Sequence, residues 1–309
     1  AGGRKNGKRI GTSGVPFFED ELADIARLTD AALSRLIPGG EGPEAQVLDA
    51  MRYSSLAGGK RLRPFLVIAT ADLFNVSRTS SERVAAAIEM VHTYSLVHDD
   101  LPSMDDDDLR RGRPTCHMKY DEATAILAGD GLLTLAFEVI AGAETHGLGE
   151  IRAELALELA RAIGAQGMVG GQMLDLLAAE HALDVPEITR LQRMKTGALI
   201  SFSCQAGAIL GKAGEHQRHM LAAYAHDLGL AFQIVDDLLD LEGDAEEMGK
   251  RTGKDDQAGK ATFVSLLGAE RAREQANILT AQAIKHLEVF AEKGKLLSDL
   301  AEFVIKRRK

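Results

Sequence analysis

Ten residues, Asp99 to Asp108, hold six aspartates, and an apolar, helix-like segment from Val84 to Val97 runs straight into them. Arg110, Arg111 and Arg113 follow at once. Carboxylates at this density repel one another strongly unless something cationic sits among them. The end of a helix is already partly negative, which makes the position worse. A hard divalent cation with oxygen ligands removes both penalties, and Mg2+ typically binds one or two carboxylates and completes its shell with substrate phosphates. The adjacent arginines suit those phosphates. A solvated acidic loop would account for a bare Asp run. It accounts less well for a second cluster, Asp236-Asp237-Leu238-Leu239-Asp240, which also ends an apolar stretch.

Composition narrows the fold. The chain has 309 residues, 45% of them apolar, enough for a substantial core. Ala, Leu, Glu and Met abound, aromatic residues make up 5%, and there is no Trp, a balance that favours helix over strand. The net charge of −10 argues against general nucleic-acid binding, which needs a basic face. Two cysteines, Cys116 and Cys204, are too few for a disulfide framework and point to a reducing cytoplasm. No uninterrupted apolar run has membrane-spanning length, so stable membrane insertion is not expected. Residues 1–16 are rich in Gly, Lys and Arg and are expected to be a disordered arm, native or appended, with no secretory signal. Residues 17–309 are then a single domain.

Apolar positions Phe18, Leu22, Ile25, Leu28, Leu33 and Leu36 make a helical stripe that Pro38-Gly39-Gly40 stops. Pro43 can open a second helix, to about Leu56, and Pro64 lies just inside a third, to Phe74. Ser80 or Ser81 is expected to cap the helix that delivers His98 and Asp99, and Pro102 to break it. Further helices are expected over about 122–143, 149–164, 166–181, 186–211, 215–242, 262–291 and 295–306. No alternating strand of useful length is found. The expectation is an all-α bundle of about ten helices.

Basic residues gather at interruptions of this pattern. Gly58-Gly59-Lys60-Arg61-Leu62-Arg63-Pro64 joins two glycines, which let a ligand approach the backbone, to three cations at a helix start. A charged turn between helices is the plain alternative, and no Gly-x-x-x-x-Gly-Lys-Ser/Thr nucleotide fingerprint is present. Asp236 and Asp240 are four apart on one helix face, within reach of a shared ion, with Phe232 and Gln233 a turn before. Lys195-Thr196-Gly197 interrupts one helix, and Lys250, Lys254 and Lys260 lie in a Gly-rich loop. Together these groups fit diphosphates held through Mg2+.

The motifs Gly58–Pro64, His92–Asp100, Asp105–Thr115, Gly170-Gly171-Gln172, Lys195-Thr196-Gly197 and Phe232–Asp240, in this order, resemble the trans-isoprenyl diphosphate synthases (polyprenyl synthetase family), bacterial farnesyl diphosphate synthases in particular. The resemblance covers residue 17 to the C-terminus. It implies a helical bundle of the isoprenoid synthase type around an apolar cavity, usually a homodimer. It also implies a Mg2+-dependent prenyltransferase that joins isopentenyl diphosphate to dimethylallyl or geranyl diphosphate and makes the C15 product, farnesyl diphosphate. Asp99 and Asp105 would bind Mg2+ from one wall and Asp236, supported by Asp240, from the other, as three ions with diphosphate bound. Arg110, Lys195 and Lys250 would hold the allylic diphosphate. Lys60, Arg63, His92 and Arg111 would hold that of isopentenyl diphosphate. The Thr196 carbonyl and the Gln233 side chain would face the reacting carbons. An aromatic residue at Tyr94, five before Asp99, goes with C15 products in such enzymes, and a smaller one with C20.

Two departures stand out. Four residues separate Asp100 from Asp105, and a strict helix cannot then bring Asp99 and Asp105 to one face, so a local bulge at Pro102 is expected. Ala261-Thr262-Phe263-Val264 stands where relatives commonly show Thr-Tyr-Pro. The competing readings are a C20 geranylgeranyl diphosphate synthase and a silent subunit of a heteromeric synthase, which should have lost acidic residues. A terpene cyclase would have no use for Gly58–Pro64. A metal phosphohydrolase rests on His98-Asp99 alone.

Overall fold

A computed structural model describes residues 15–178, 183–246 and 262–307. The helices are α1 (Val15–Leu36), α2 (Ala45–Ser55), α3 (Leu62–Leu73), α4 (Arg78–Asp99), α5 (Cys116–Lys119), α6 (Glu122–Ala141), α7 (Gly149–Ile163), α8 (Met168–Ala178), α9 (Val185–Gln192), α10 (Ala198–Leu210), α11 (Glu215–Glu246), α12 (Phe263–Leu267), α13 (Ala269–His286) and α14 (Lys295–Lys306). The strands among the described residues are the two-residue pair Leu109–Arg110 and Arg113–Pro114, a hairpin. The expected all-α bundle is what forms.

The centre is built from helices that are apolar all round, the mark of an interior helix. Val84 to Val91 of α4 are buried without a break, as are Pro64 to Ala71 of α3. In α4 the run Ala85-Ala86-Ala87 leaves room for close neighbours, and α3, α6 and α10 pack around it. α11 lies along α13, and the Tyr224 hydroxyl donates to the carbonyl of Leu297 at 2.8 Å, tying the C-terminal helix to α11.

Helix ends show where local signals were overruled. The cap of α4 is Ser77, not Ser80 or Ser81; its Oγ accepts from the Ser80 N–H at 3.2 Å. The expected helix over 262–291 breaks at Gly268 (φ 80°), and the one over 186–211 contains a π-helical turn, Arg193–Gly197. α6 is long and apolar enough to cross a membrane by length and composition, although Asp130 and Glu138 interrupt its apolar run. It packs against α4 along Ala125, Ala128, Leu132 and Ala136, as a core helix does.

One charged pair lies inside the core. Arg61, in left-handed conformation (φ 50°), turns its side chain inward to Glu89 of α4 at 2.5 Å, Asp30 of α1 at 2.7 Å and the Ser55 carbonyl at 2.7 Å. This corrects the reading of Arg61 as a third ligand-facing cation: it pins the Gly58–Pro64 turn to α1, α2 and α4. Removing one member of a buried pair strands the other charge. Arg61→Met is expected to destabilise the protein by about 3 kcal/mol, read as a lower urea midpoint; an unchanged midpoint would remove this pair from the account of the fold.

Candidate active site

The first wall is the end of α4. Its terminal carbonyls lack helical partners, and the chain supplies them by doubling back: Asp105 N–H donates to the Asp99 carbonyl at 2.8 Å and Asp107 N–H to the Asp100 carbonyl at 3.2 Å. This reversal, beginning at Leu101-Pro102, is the expected bulge, and it returns Asp105 to Asp99. Burial, together with the neighbouring Asp105 and Asp100 charges, pushes the Asp99 carboxyl up to about 6, although Lys195 and Arg110 act in the opposite direction. Asp100 is not a second open ligand. It is buried and takes a bidentate pair from Arg110, 2.8 Å from Nε and 2.6 Å from Nη2.

The second wall is α11. Burial raises the pKa of Asp236, with exposed Asp240 one turn on adding to the shift. Arg307, just after α14, meets Asp236 at 2.6 Å, donates to the Phe232 carbonyl at 3.1 Å and stacks 3.9 Å from the Phe232 ring centroid. Asp237 points elsewhere: its carboxylate accepts the Phe263 N–H at 2.9 Å at the start of α12. Gln233 lies three residues before Asp236, on the same helix face.

Between the walls runs a belt of cations. Lys60 lies within the fields of Asp236 and Arg307, and burial lowers its pKa. Arg63, also lowered by burial, feels Glu89, Asp236 and Arg111; its Nη1 donates to His92 Nε2 at 3.4 Å and its Nε has no partner. His92, half-buried and ringed by Arg63, Arg111, Arg110 and Arg61, stays well below the ordinary histidine range, so it is neutral near pH 7. On the other side Lys195 pairs with Asp175 of α8 at 2.7 Å. The π turn holding Lys195 and Thr196 comes this close because position 171 is glycine: a Cβ there would strike the Lys195 backbone.

The structure thus sets Lys60 and Arg63 in the field of Asp236, Lys195 and Arg110 in that of Asp99, and His92 beside Arg63, Arg110 and Arg111. Lys250 lies outside the described residues, as do Lys254, Lys260 and the arm up to residue 14. Sequence reasoning missed Arg307 and Asp175, and gave no role to Gln172 of the Gly170-Gly171-Gln172 motif, whose side-chain amide is buried with neither atom partnered. The i, i+3 spacing of Gln172 and Asp175 on one helix was a usable signal, as was the terminal basic run from Lys306.

Among the described residues no three or more His, Cys, Asp or Glu side chains form a cage for a metal ion. Two separate aspartate clusters, each near lysine and arginine side chains, instead fit an ion that shares its shell with a ligand's phosphates.

An all-α fold with two aspartate clusters, each beside lysine and arginine side chains, is the architecture of an isoprenyl diphosphate synthase. The profile of the family described as Polyprenyl synthetase matches residues 44–299. Farnesyl diphosphate synthase of Escherichia coli (strain K12) is 46% identical over 297 residues, 94% of this chain and 99% of that one. Geranylgeranyl pyrophosphate synthase 11, chloroplastic, of Arabidopsis thaliana is 42% identical over 93% of this chain and 81% of its own. The crystal structure of an FPP/GFPP synthase from Zymomonas mobilis superposes with a TM-score of 0.86 at 46% identity, covering 94% of this chain and 100% of that one. The chain belongs to the polyprenyl synthetase family.

The raised pKa of Asp99 has a stability consequence. Its folded value of about 6 exceeds the unfolded value near 4, so the folded state binds the proton more tightly and stability falls as pH rises between them. Asp99→Asn is therefore expected to raise the melting temperature of the metal-free protein at pH 7.5, with the gain shrinking as pH falls through 6 toward 4. A gain independent of pH would show that the carboxyl is not desolvated.

Proposed function

We propose that this chain is a farnesyl diphosphate synthase: it condenses isopentenyl diphosphate head-to-tail with dimethylallyl or geranyl diphosphate and releases diphosphate. The observation that carries the reading is the belt of cations between two carboxylate walls, with a buried, unpartnered Arg63 Nε inside it. Such groups serve ligands that carry diphosphate at both ends of a site.

Ionising an allylic carbon–oxygen bond leaves a carbocation and a departing diphosphate, so negative charge develops where preorganised cations are worth most. Mg2+, when bound by Asp99, Asp105 and Asp236 with Asp240 in support, supplies most of that compensation. Arg110, Lys195 and Lys250 hold the allylic diphosphate. Lys60, Arg63 and Arg111 hold the other, with neutral His92 offering a hydrogen bond rather than a charge. The Thr196 carbonyl and Gln233 turn oxygens toward the cation, and the apolar cavity keeps water from it. The alkene of isopentenyl diphosphate attacks, and the proton then lost goes to the released diphosphate. No protein nucleophile is required.

We also infer a homodimer and a cytoplasmic enzyme. α6 leaves Ile126 44% and Leu127 57% exposed side by side, a surface suited to a second copy. Both cysteines are free and buried, as a reducing compartment allows. A silent subunit is disfavoured because every acidic residue of the two motifs is present.

The product length turns on Tyr94. It sits five residues before Asp99, about 7.5 Å along the axis at 1.5 Å per residue. The ring is 7% exposed and packs edge-on to His98 at 5.7 Å, while His98 Nε2 lies 3.0 Å from the Ile126 carbonyl of α6. A ring braced in this way makes a hard floor, since close-packed interiors resist overfilling. Native protein given isopentenyl and geranyl diphosphates should yield C15 product by chromatography, and Tyr94→Ala C20 or longer. Mainly C20 from the native chain, or unchanged C15 from the variant, counts against this floor and favours the geranylgeranyl reading.

Asp99→Ala, Asp105→Ala and Asp236→Ala should each lower turnover by about a thousand-fold or more with the fold intact. Near-native rates in all three at limiting Mg2+ would dispose of the two-wall site.

A further inference from the structure

The hairpin Leu109–Pro114 is too small to hold itself. Its strands are two residues each and mostly exposed, and isolated hairpins are marginal in water. Its reversal, Arg111-Gly112, has φ of 53° and 72°, the positive pair that two-residue hairpin turns demand. Arg111, assigned above to isopentenyl diphosphate, is thus displayed at the tip of an element with little stability of its own.

External ties keep it in place. Arg110 holds the inner strand to Asp100 at the end of α4. Arg111 Nη1 donates to the Gly58 carbonyl, passing position 59, where a Cβ would collide with its guanidinium. The outer strand is held from α2: the Tyr53 hydroxyl donates to the Pro114 carbonyl at 2.8 Å. The Arg113 guanidinium lies 4.5 Å above the Tyr53 ring centroid, and Tyr120 packs edge-on to that ring at 5.9 Å.

We infer that Tyr53 is a positioning residue for the isopentenyl diphosphate subsite. The inference rests on the prenyl-transfer reading. α2 ends at Ser55, three residues before Gly58, so one helix holds both halves of the subsite: the Gly58–Pro64 turn directly and the hairpin through Tyr53. When a diphosphate draws the Arg111 guanidinium away from the Gly58 carbonyl, that tie is spent. The inner strand stays anchored to α4, beside the metal-binding wall, and Tyr53 alone of these ties keeps the hairpin on α2. Removing it frees Arg111 relative to Lys60 and Arg63 while Arg110, Asp99 and Lys195 keep their places. Loss of Tyr53 should therefore divide the two substrates.

The test compares native protein with Tyr53→Phe, which keeps the ring beneath Arg113, and Tyr53→Leu, which removes both contacts. KM for isopentenyl diphosphate is expected to rise about three-fold in Tyr53→Phe and on the order of ten-fold in Tyr53→Leu. KM for geranyl diphosphate and kcat should stay within about two-fold. Amide hydrogen exchange over residues 109–114 should accelerate in Tyr53→Leu, with α4 and α6 as protected as in the native protein. An unchanged KM for isopentenyl diphosphate in Tyr53→Leu overturns the inference, as does an equal loss for both substrates. A native chain that makes no prenyl product sinks the prenyl-transfer reading instead and removes the subsite role. Unaltered exchange in the hairpin would in any case refute the clamp.

Discussion

Charge compensation at low hydration governs this molecule. A carboxylate taken from water must find a counter-charge or give up its own charge. Burial raises the pKa of Asp99, Asp100 and Asp236 alike, and counter-charges restrain the shift. Asp100, Asp175 and Asp236 are paired with Arg110, Lys195 and Arg307 at 2.6 to 2.7 Å. Asp99 has no such close pair, and burial with the neighbouring carboxylates pushes it up to about 6. The aspartate left in want of a cation is thus the one at the helix end, where the helix's own carbonyls add negative potential. The same logic keeps the cations poised. Burial lowers the pKa of Lys60 and Arg63, and a diphosphate would relieve both.

The scaffold exists to hold these opposed charges at fixed spacing. α4 is buried on every side from Val84 to Val91, so its end cannot shift without disturbing α3, α6 and α10. Arg61 and Glu89 fasten the basic turn to the same helix. On the opposite wall, the Tyr224–Leu297 hydrogen bond keeps α14 on α11, and so keeps Arg307 within reach of Asp236. The end of α4, the basic turn and the Asp236–Arg307 pair are each fastened to a core element, as a preorganised electrostatic site requires.

Much of this was legible in the sequence, for identifiable reasons. Helix positions follow from periodicity and from Pro and Gly punctuation, so Pro38-Gly39-Gly40 and Pro64 marked real boundaries. The aspartate motifs were legible because carboxylates at that density need an explanation wherever they fall. What stayed hidden depended on tertiary contacts. Nothing local separates Arg61 from Arg63; the left-handed backbone at Arg61 sends one inward to Glu89 and leaves the other beside His92. The π turn at Arg193–Gly197 has no composition of its own and is fitted to the close approach that Gly171 allows. Arg307 sits in a terminal basic run that reads as solvated until α14 is folded back along α11.

The two walls differ in a way that composition conceals. The first is made by backbone: Asp105 reaches Asp99 because the chain doubles back to satisfy helix-end carbonyls, so the acidic pair is a by-product of closing α4. The second is made by side chains on an unbroken helix, Asp236 and Asp240 one turn apart, with charge balance borrowed from Arg307 on a different element. The first arrangement depends on the length between Asp100 and Asp105, because the Asp105 N–H must land on the Asp99 carbonyl. The second depends on helical register and on the docking of α14. A residue inserted at Pro102 would therefore damage the first wall, whereas loosening α14 would damage only the second.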